Sequence, residues 1–355
     1  MSKVSVHLIV YNGEKYLPFS LASLKNQSFK DFSVLIIDNA SQDESVSMIE
    51  SFLKGDVSHE LALKTTLIKN RKNDGFAPAH NRAIQWSTSE YVFMMNQDVI
   101  LDDSYLEELV NFLDSRPEAA AASGTIFRWN FEEMNDSSGL TERGKTDSID
   151  TLGLIIDPSH MVVEWRDPEN IQTPREVFGV SGALPMYRRS ALEAAKVPVF
   201  RKRSKLYGDG SDVFEYFDTD FFAYKEDVDL AYRLKLLGYR AYLAPLARAW
   251  HDRTAAAKTG AFSNRRKKSA FINFHSYRNH LYFLIKNVSF PIFIRHAHNI
   301  LLYETVKFFY ILFFEQSTLC AFADLAKNFS RMLKKRRYIQ KKLGKEGWKN
   351  VERWL

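Results

Sequence analysis

The chain of 355 residues is long enough for one large or two ordinary domains, and its 45% hydrophobic and 26% charged residues exclude a disordered or fibrous protein. A single cysteine, Cys320, excludes an internal disulfide framework and fits a reducing compartment. The formal charge of +6 is unevenly spread: residues 258–355 hold 20 Lys/Arg against 5 Asp/Glu, leaving 29 against 38 in residues 1–257. Such a basic tail suits an anionic membrane surface or nucleic acid, and equally a solvated lysine-rich helix.

The opening MSKVSVHLIVYNGE has a short alternating apolar stretch that stops at Tyr11-Asn12-Gly13, which predicts a strand over 4–11 rather than a signal peptide. Helical spacing follows over 14–27, a second strand is FSVLIID (32–38), and SQDESVSMIESFL (41–53) reads as a helix opened by a Ser41/Glu44 capping box. LALKTTLIKN (61–70) is a third strand, APAHNRAIQWS (77–87) a third helix, and YVFMMN (91–96) a fourth strand apolar enough to be buried on both faces. This alternation predicts βαβ units and a largely parallel sheet.

In such sheets ligands bind beyond the carboxyl ends of the strands. Asn12, Asp38 and Asp98 each stand where a strand gives way to a loop. In FMMNQDVI (93–100) an apolar run stops on a carboxylate, which costs free energy unless a cation, a ligand carrying one, or solvent satisfies it. No GxGxxG follows a strand and no GxxxxGK[ST] occurs, so the usual dinucleotide and P-loop readings lose support. Asn73-Asp74-Gly75 is a turn opening into a helix near Pro78, a place for an anion or simply a capped helix, with the Phe76 ring beside it.

Residues 128–148 are polar and read as a loop, and 148–167 as two strands around a turn near Asp157-Pro158. Ser181-Gly182-Ala183 are small enough to let a ligand, or a packed neighbour, approach the backbone. In residues 218–252, Leu230, Leu234 and Leu237 follow helical spacing with Gly238 as the stop, so Glu226, Asp227 and Asp229 crowd the first turn. The helix dipole favours acids there for structure alone, and it also keeps a carboxylate ionised, as a general base requires. A further strand ends on His251, a metal ligand if it stands opposite Asp98 and a structural histidine otherwise.

Taken in order, VYNGEKYL (10–17), IIDNASQD (36–43), NDGFAPAHNRAI (73–84), MNQDV (95–99), FGVSGALPMYRR (178–189), FFAYKEDVDLAYRLKLLGYR (221–240) and AWHD (249–252) resemble the family 2 glycosyltransferases of GT-A fold, and among them the bacterial rhamnosyltransferases. The resemblance runs through roughly residues 3–285. It implies a nucleotide-sugar site bordered by Val10, Tyr11, Asn12, Glu14 and Asp38, with Asn73, Gly75, Phe76 and Asn81 on the nucleotide side. Asn96-Gln97-Asp98 stands at the family's DxD metal motif with its first acid missing, so Asp98, with His251, is expected to bind Mg²⁺ or Mn²⁺. Glu226-Asp227 matches the acidic pair that supplies the base, assigned to Asp227 with Glu226 as competitor, and Ser181, Gly182 and Ala183 fall on the acceptor side. The implied donor is dTDP-L-rhamnose or a UDP-hexose. The implied acceptor is a glycan or a polyprenyl-diphosphate-linked sugar in cell-surface polysaccharide synthesis.

The expected organisation is a GT-A domain over 1–257, with a nucleotide half over 1–125 and an acceptor half over 126–257, followed by a helical basic region over 258–355. Arg295, His296, His298, Glu304 and Lys307 interrupt the apolar stretch 288–325, which argues against a membrane span. Helices that pack on the domain, or that lie peripherally on the cytoplasmic leaflet with RMLKKRRYIQKKLGK (331–345) against anionic lipid, are expected instead. A nucleotidyltransferase would show a basic Gly-rich loop near the N-terminus. A nucleic-acid binder would interleave aromatics with the tail's cations; neither pattern is present, so no nucleic-acid partner is expected.

Overall fold

The computed structural model describes residues 2–55, 60–131, 144–167, 171–200, 213–253, 268–342 and 346–355. The strands are β1 (Val4–Val10), β2 (Phe32–Asp38), β3 (Thr65–Lys69), β4 (Tyr91–Met95), β5 (Val99–Leu101), β6 (Ala119–Trp129), β7 (Lys145–Thr151), β8 (Leu154–Ile156), β9 (Val162–Glu164), β10 (Arg175–Val177), β11 (Met186–Arg188), β12 (Val197–Pro198), β13 (Phe214–Glu215) and β14 (Arg240–His251). The helices are α1 (Leu17–Lys25), α2 (Ser45–Gly55), α3 (Glu60–Leu63), α4 (Phe76–Trp86), α5 (Tyr105–Asp114), α6 (Arg189–Ala194), α7 (Glu226–Leu236), α8 (Ala270–Asn287), α9 (Phe290–Phe314), α10 (Cys320–Lys342) and α11 (Trp348–Glu352).

The described residues fall into two compact units that interleave along the chain. One comprises Met1–Leu154, Glu164–Leu192 and Arg240–Arg253; the other comprises Ile155–Val163, Glu193–Tyr239 and Thr254–Leu355.

The first unit is built on a sheet of order β10-β14-β6-β11-β4-β1-β2-β3, with β5 added to β14 and β7 to β6. β3, β2, β1 and β4 are all parallel, as their alternation with helices predicts. Beyond β4 the sheet is mixed: β11 is antiparallel to both neighbours, while β14 runs parallel to β6. Val4, Val6, Leu8, Phe93 and Met95 form the core with Leu17 and Leu21 of α1 and Leu106 and Leu109 of α5. β1 and β4 are almost wholly buried because they are the central parallel strands.

Two local expectations change. Ser41 and Glu44 do not cap a helix at 41; α2 begins at Ser45, and the Ser41 hydroxyl instead accepts the Asn12 amide (3.0 Å). Residues 60–63 form a helical turn rather than the start of the third strand, which begins at Thr65. The 148–167 segment does contain a hairpin, β8–β9, whose turn is organised by Asp157 Oδ1 accepting the amides of Ser159 (2.8 Å) and Met161 (3.2 Å). Within the polar 128–148 stretch, β6 runs on to Trp129 and β7 begins at Lys145, while 132–143 lie outside the described residues.

The second unit is helical around α7, α8, α9 and α10, with apolar contacts among Tyr277, Leu281, Ile311 and Ala321. Among the described residues no helix is long and apolar enough to cross a membrane. At its centre lies a buried charge cluster. Lys335 Nζ reaches Glu215 (2.8 Å), Asp218 (2.5 Å) and Asp220 (3.1 Å), and Lys286 Nζ reaches Asp218 (2.6 Å) and Asp229 (2.6 Å). Arg233 pairs with Asp229 (2.9 Å), and Arg331 holds Asp220 through two bonds of 2.9 Å. Burial alone would drive the Lys335 ammonium towards neutrality, but Asp218, Asp220 and Glu215 outweigh it and keep the charge.

Candidate active site

The carboxyl ends of the parallel strands carry the residues that the sequence places at the nucleotide. After Val10 the chain turns through Asn12, in the left-handed region at φ 49°. Asn12 Oδ1 accepts the Gln42 amide (2.8 Å), Gly13 N donates to Ser45 Oγ (2.8 Å), and Glu14 Oε2 accepts the Glu44 amide (3.0 Å). The loops after β1 and β2 thus bond each other, which spends the Asn12 and Glu14 side chains and leaves the Tyr11 ring 44% exposed on the rim. Asp38 is buried and accepts the amides of Ala40 (3.1 Å) and Ser41 (3.3 Å). Asn39, which sequence reasoning missed, donates to Gly75 O (3.2 Å) and accepts from Asn70 (2.7 Å), joining this rim to the next loop.

That loop is the Asn73-Gly75 turn, closed by Asn73 Oδ1 on the Gly75 amide (2.9 Å); Gly75 sits at φ 93°, where a side chain would be strained. α4 then opens with no side-chain cap, and the Phe76 ring lies edge-on to buried His80 (4.2 Å). Asn81 is buried one turn on.

At the end of β4, the Asn96 amide donates to Ala183 O (3.1 Å), which brings the small-residue segment to the rim. The Gln97 amide grips the Tyr11 backbone on both sides (2.9 and 3.1 Å). Pairing of β14 with β5 sets His251 opposite Val99, so its ring reaches Asp98. His251 Nε2 lies 3.3 Å from Asp98 Oδ1, and its Nδ1 lies 3.0 Å from Asp150 Oδ2. Burial pulls the His251 imidazole down, but Asp98 and Asp150 overcome it and push its pKa up to about 9.

Asp150 on β7 is fully buried. Burial pushes its carboxyl up, whereas the His251 hydrogen bond and the Arg253 and Arg166 guanidinium groups outweigh that and hold it below the usual range. Arg253 also bonds Glu164 (2.7 Å) and Ser181 Oγ (3.3 Å), and Ser181 donates to Glu164 (3.0 Å). Asp150 and Glu164 were missed because nothing in SIDT or VVEW distinguishes them from ordinary strand-face polar residues, and Arg253, just past β14, was missed too; only the β6–β7 register reveals Asp150.

One carboxylate and one imidazole do not make an all-protein metal cage, and the described residues hold no group of three or more metal-ligating side chains. The pair does fit a hard cation shared with a diphosphate, since Mg²⁺ is commonly bound by one or two carboxylates plus substrate phosphates. Asp150 behind the ring stands where a carboxylate would orient a ligating histidine.

In the other unit, α7 starts at Glu226 after Phe222, Tyr224 and Lys225, all in the left-handed region (φ 62°, 71° and 64°). Glu226 is buried, and its Oε2 has no hydrogen-bond partner among the described residues. Burial, with Asp227 and Asp229 nearby, pushes its pKa up to about 8, so it is neutral at pH 7. Asp227 is half-buried, with Oδ1 accepting the Val228 amide (2.8 Å).

The family model for glycosyl transferase family 2 matches residues 5–195. The poly-beta-1,6-N-acetyl-D-glucosamine synthase of Staphylococcus epidermidis is 24% identical over 251 residues, covering 70% of this chain and 49% of that protein. The chain spans about a third to a half of the length of the curated relatives it matches. Among solved structures, GalNAc-T7 with UDP, GalNAc and Mn²⁺ superposes with a TM-score of 0.56 at 12% identity, over 81% of this chain and 48% of that one. The mannosyltransferase PcManGT of Pyrobaculum calidifontis, with GDP-Man and Mn²⁺, gives 0.50 at 18% identity, over 93% and 75%. These likenesses establish the GT-A fold, and by the match over more than half its length the chain belongs to glycosyl transferase family 2.

Proposed function

We propose that the chain transfers a sugar from a nucleoside-diphosphate donor to a hydroxyl of a glycan or polyprenyl-diphosphate-linked acceptor, with inversion at the anomeric carbon. The proposed donor is dTDP-L-rhamnose, supported by the rhamnosyltransferase-like insert at 148–167 and the form of FFAYKEDVDLAYR; a UDP-hexose is the alternative. Relatives and neighbours whose names or bound molecules point to activated hexoses support the nucleotide-sugar class.

The observation that carries the reading is the Asp98–His251–Asp150 chain at the strand ends. Asp98 and His251 would hold a Mg²⁺ or Mn²⁺ ion shared with the diphosphate, and such an ion stabilises the negative charge growing on the leaving group. Tyr11 offers its exposed ring to the base, with Val10, Asp38 and Asn73-Phe76 along the same rim. The acceptor oxygen attacks the anomeric carbon as the bond to the diphosphate oxygen breaks. Asp227 takes the acceptor proton, a step worth roughly two to four orders of magnitude. The neutral state of Glu226 supports Asp227 over its neighbour as that base. A single base with no covalent nucleophile supports inversion.

Attachment to the cytoplasmic leaflet is part of the same reading. On α9, Leu301, Leu302, Phe308, Phe309 and Phe313 are exposed on the side away from buried Ile300, Lys307 and Ile311, while Lys334, Arg337 and Lys341 of α10 are exposed cations.

The test is binding and hydrolysis of dTDP-L-rhamnose, UDP-glucose and UDP-N-acetylglucosamine with and without Mn²⁺, comparing wild type with Asp98→Ala and Asp227→Asn. Metal-dependent binding that Asp98→Ala abolishes, and turnover that Asp227→Asn loses while still binding donor, support the assignment. Full turnover by Asp227→Asn would sink it.

A further inference from the structure

The segment leading into α7 is held in an unfavourable conformation by a device that lies outside the family-matched residues. Phe222, Tyr224 and Lys225 all adopt left-handed backbone angles, costly for side chains of this size unless the surroundings impose them. The surroundings are two consecutive residues of α8. Asn279, wholly buried, points its Nδ2 at the carbonyls of Phe221 (2.8 Å), Ala223 (2.8 Å) and Tyr224 (2.7 Å). Arg278 donates from Nε and Nη2 to Asn279 Oδ1 (3.0 and 2.9 Å), and from Nη2 to the carbonyls of Asp220 (3.0 Å) and Phe221 (3.2 Å). Asp324 of α10 anchors the guanidinium in turn (3.3 Å).

The polarity of this arrangement leaves one solution. A guanidinium only donates and backbone carbonyls only accept, so the side chain between them must accept on one branch and donate on the other. Asparagine does both at the shortest reach, and Arg278 fixes which way its amide faces. Without the two donors on Nδ2, the carbonyls of Ala223 and Tyr224 would lose this partner, while that of Phe221 would keep Arg278.

We infer that Arg278 and Asn279 are positioning residues for the glycosyl-transfer base: they hold residues 221–225 in the strained turn that fixes where α7 begins and hence where Asp227 stands. This rests on the reading of Asp227 as the base. Relaxing Lys225 from its left-handed angle would let the first turn of α7 rewind, and a shift of about 1 Å in a reacting group costs on the order of a hundredfold in rate. The donor-binding residues belong to the other unit, so the loss should fall on kcat.

The experiment uses the full chain with Asn279→Asp, an isostere that removes both donors, and Arg278→Lys, which cannot span Asn279 and two carbonyls. Three readouts are taken: amide hydrogen exchange over residues 221–225, hydrolysis of whichever of dTDP-L-rhamnose, UDP-glucose or UDP-N-acetylglucosamine wild type turns over, and the thermal midpoint. The expected result is faster exchange confined to this segment, kcat down by about a hundredfold, and donor KM within about threefold of wild type. Unchanged exchange in the folded variants, or faster exchange with unchanged kcat, would overturn the inference. If neither variant folds, the pair is a folding requirement and the positioning role falls. Asp227→Asn separates the two failures: an active Asp227→Asn removes the base reading itself, whereas an inactive one beside an active Asn279→Asp removes only the clamp.

Discussion

The two units place their candidate carboxylates by opposite means. In the sheet unit, Asp98 and His251 are positioned by backbone register: β4 stops, β5 pairs with β14, and the side chains meet because the strands beneath them are packed apolar rods. In the helical unit, the turn carrying Asp227 stands beside a cluster in which Glu215, Asp218, Asp220 and Asp229 are matched by Lys286, Lys335, Arg233 and Arg331. Register tolerates changes of side chain so long as volume is kept. A buried ion cluster does not, because each charge is affordable only while its partner remains.

The sharpest break of this contrast is a pair of swaps that each roughly conserve volume. Lys335→Met should destabilise the protein by about 3–5 kcal/mol in denaturant unfolding, since it leaves buried Glu215 with no cation and takes one of two from Asp218 and Asp220. Met95→Leu, equally buried in β4, should cost less than about 1.5 kcal/mol. Similar losses from both would erase the distinction.

Next in size is Asp150→Asn. Removing the carboxylate behind His251 should weaken Mn²⁺ binding in the presence of UDP by roughly 10–100-fold, read by calorimetry rather than by rate. Unchanged affinity would reduce Asp150 to a core-filling role.

A smaller effect belongs to Glu226. Its carboxyl titrates near 4.5 when unfolded and near 8 when folded, so the folded chain keeps a proton that the unfolded chain has lost across that window. Stability from this group is therefore complete below about pH 4.5, falls as pH rises towards 8, and is level beyond it. Glu226→Gln should flatten that slope in urea titrations at pH 5, 6.5 and 8, gaining a few kcal/mol over wild type at most by the upper end. A parallel decline in both proteins would show that Glu226 does not titrate there.

The parallel half of the fold was legible because its signals are local. FSVLIID is β2 residue for residue, and the strand-end positions of Asn12, Asp38 and Asp98 follow from where apolar runs stop. The Ser41/Glu44 pattern misled because a capping box is a four-residue motif whose hydroxyl can bond any nearby amide; here that amide belongs to Asn12. The tail was the least legible part. Its cations read as one basic surface, yet Lys286 and Lys335 are buried and Arg278 and Arg331 bond internally, to partners as far as 120 residues earlier. No window of sequence shows a pairing that distant, and Asp150 was hidden from view for the same reason, 101 residues from His251.

The spacing of that ion cluster also orders events while the chain is being made. Glu215 leaves the ribosome 120 residues ahead of Lys335, an interval of about 6–24 s at roughly 5–20 residues per second. Through that interval Glu215 has no lysine to pair with, and Asp218 has only Lys286. The sheet's parallel half, complete by Met95, can collapse early, whereas the Glu215–Lys335 pairing needs α10 to have been made. Vectorial synthesis would thereby leave the turn that carries Asp227 without part of its surroundings until α10 exists to pack against it.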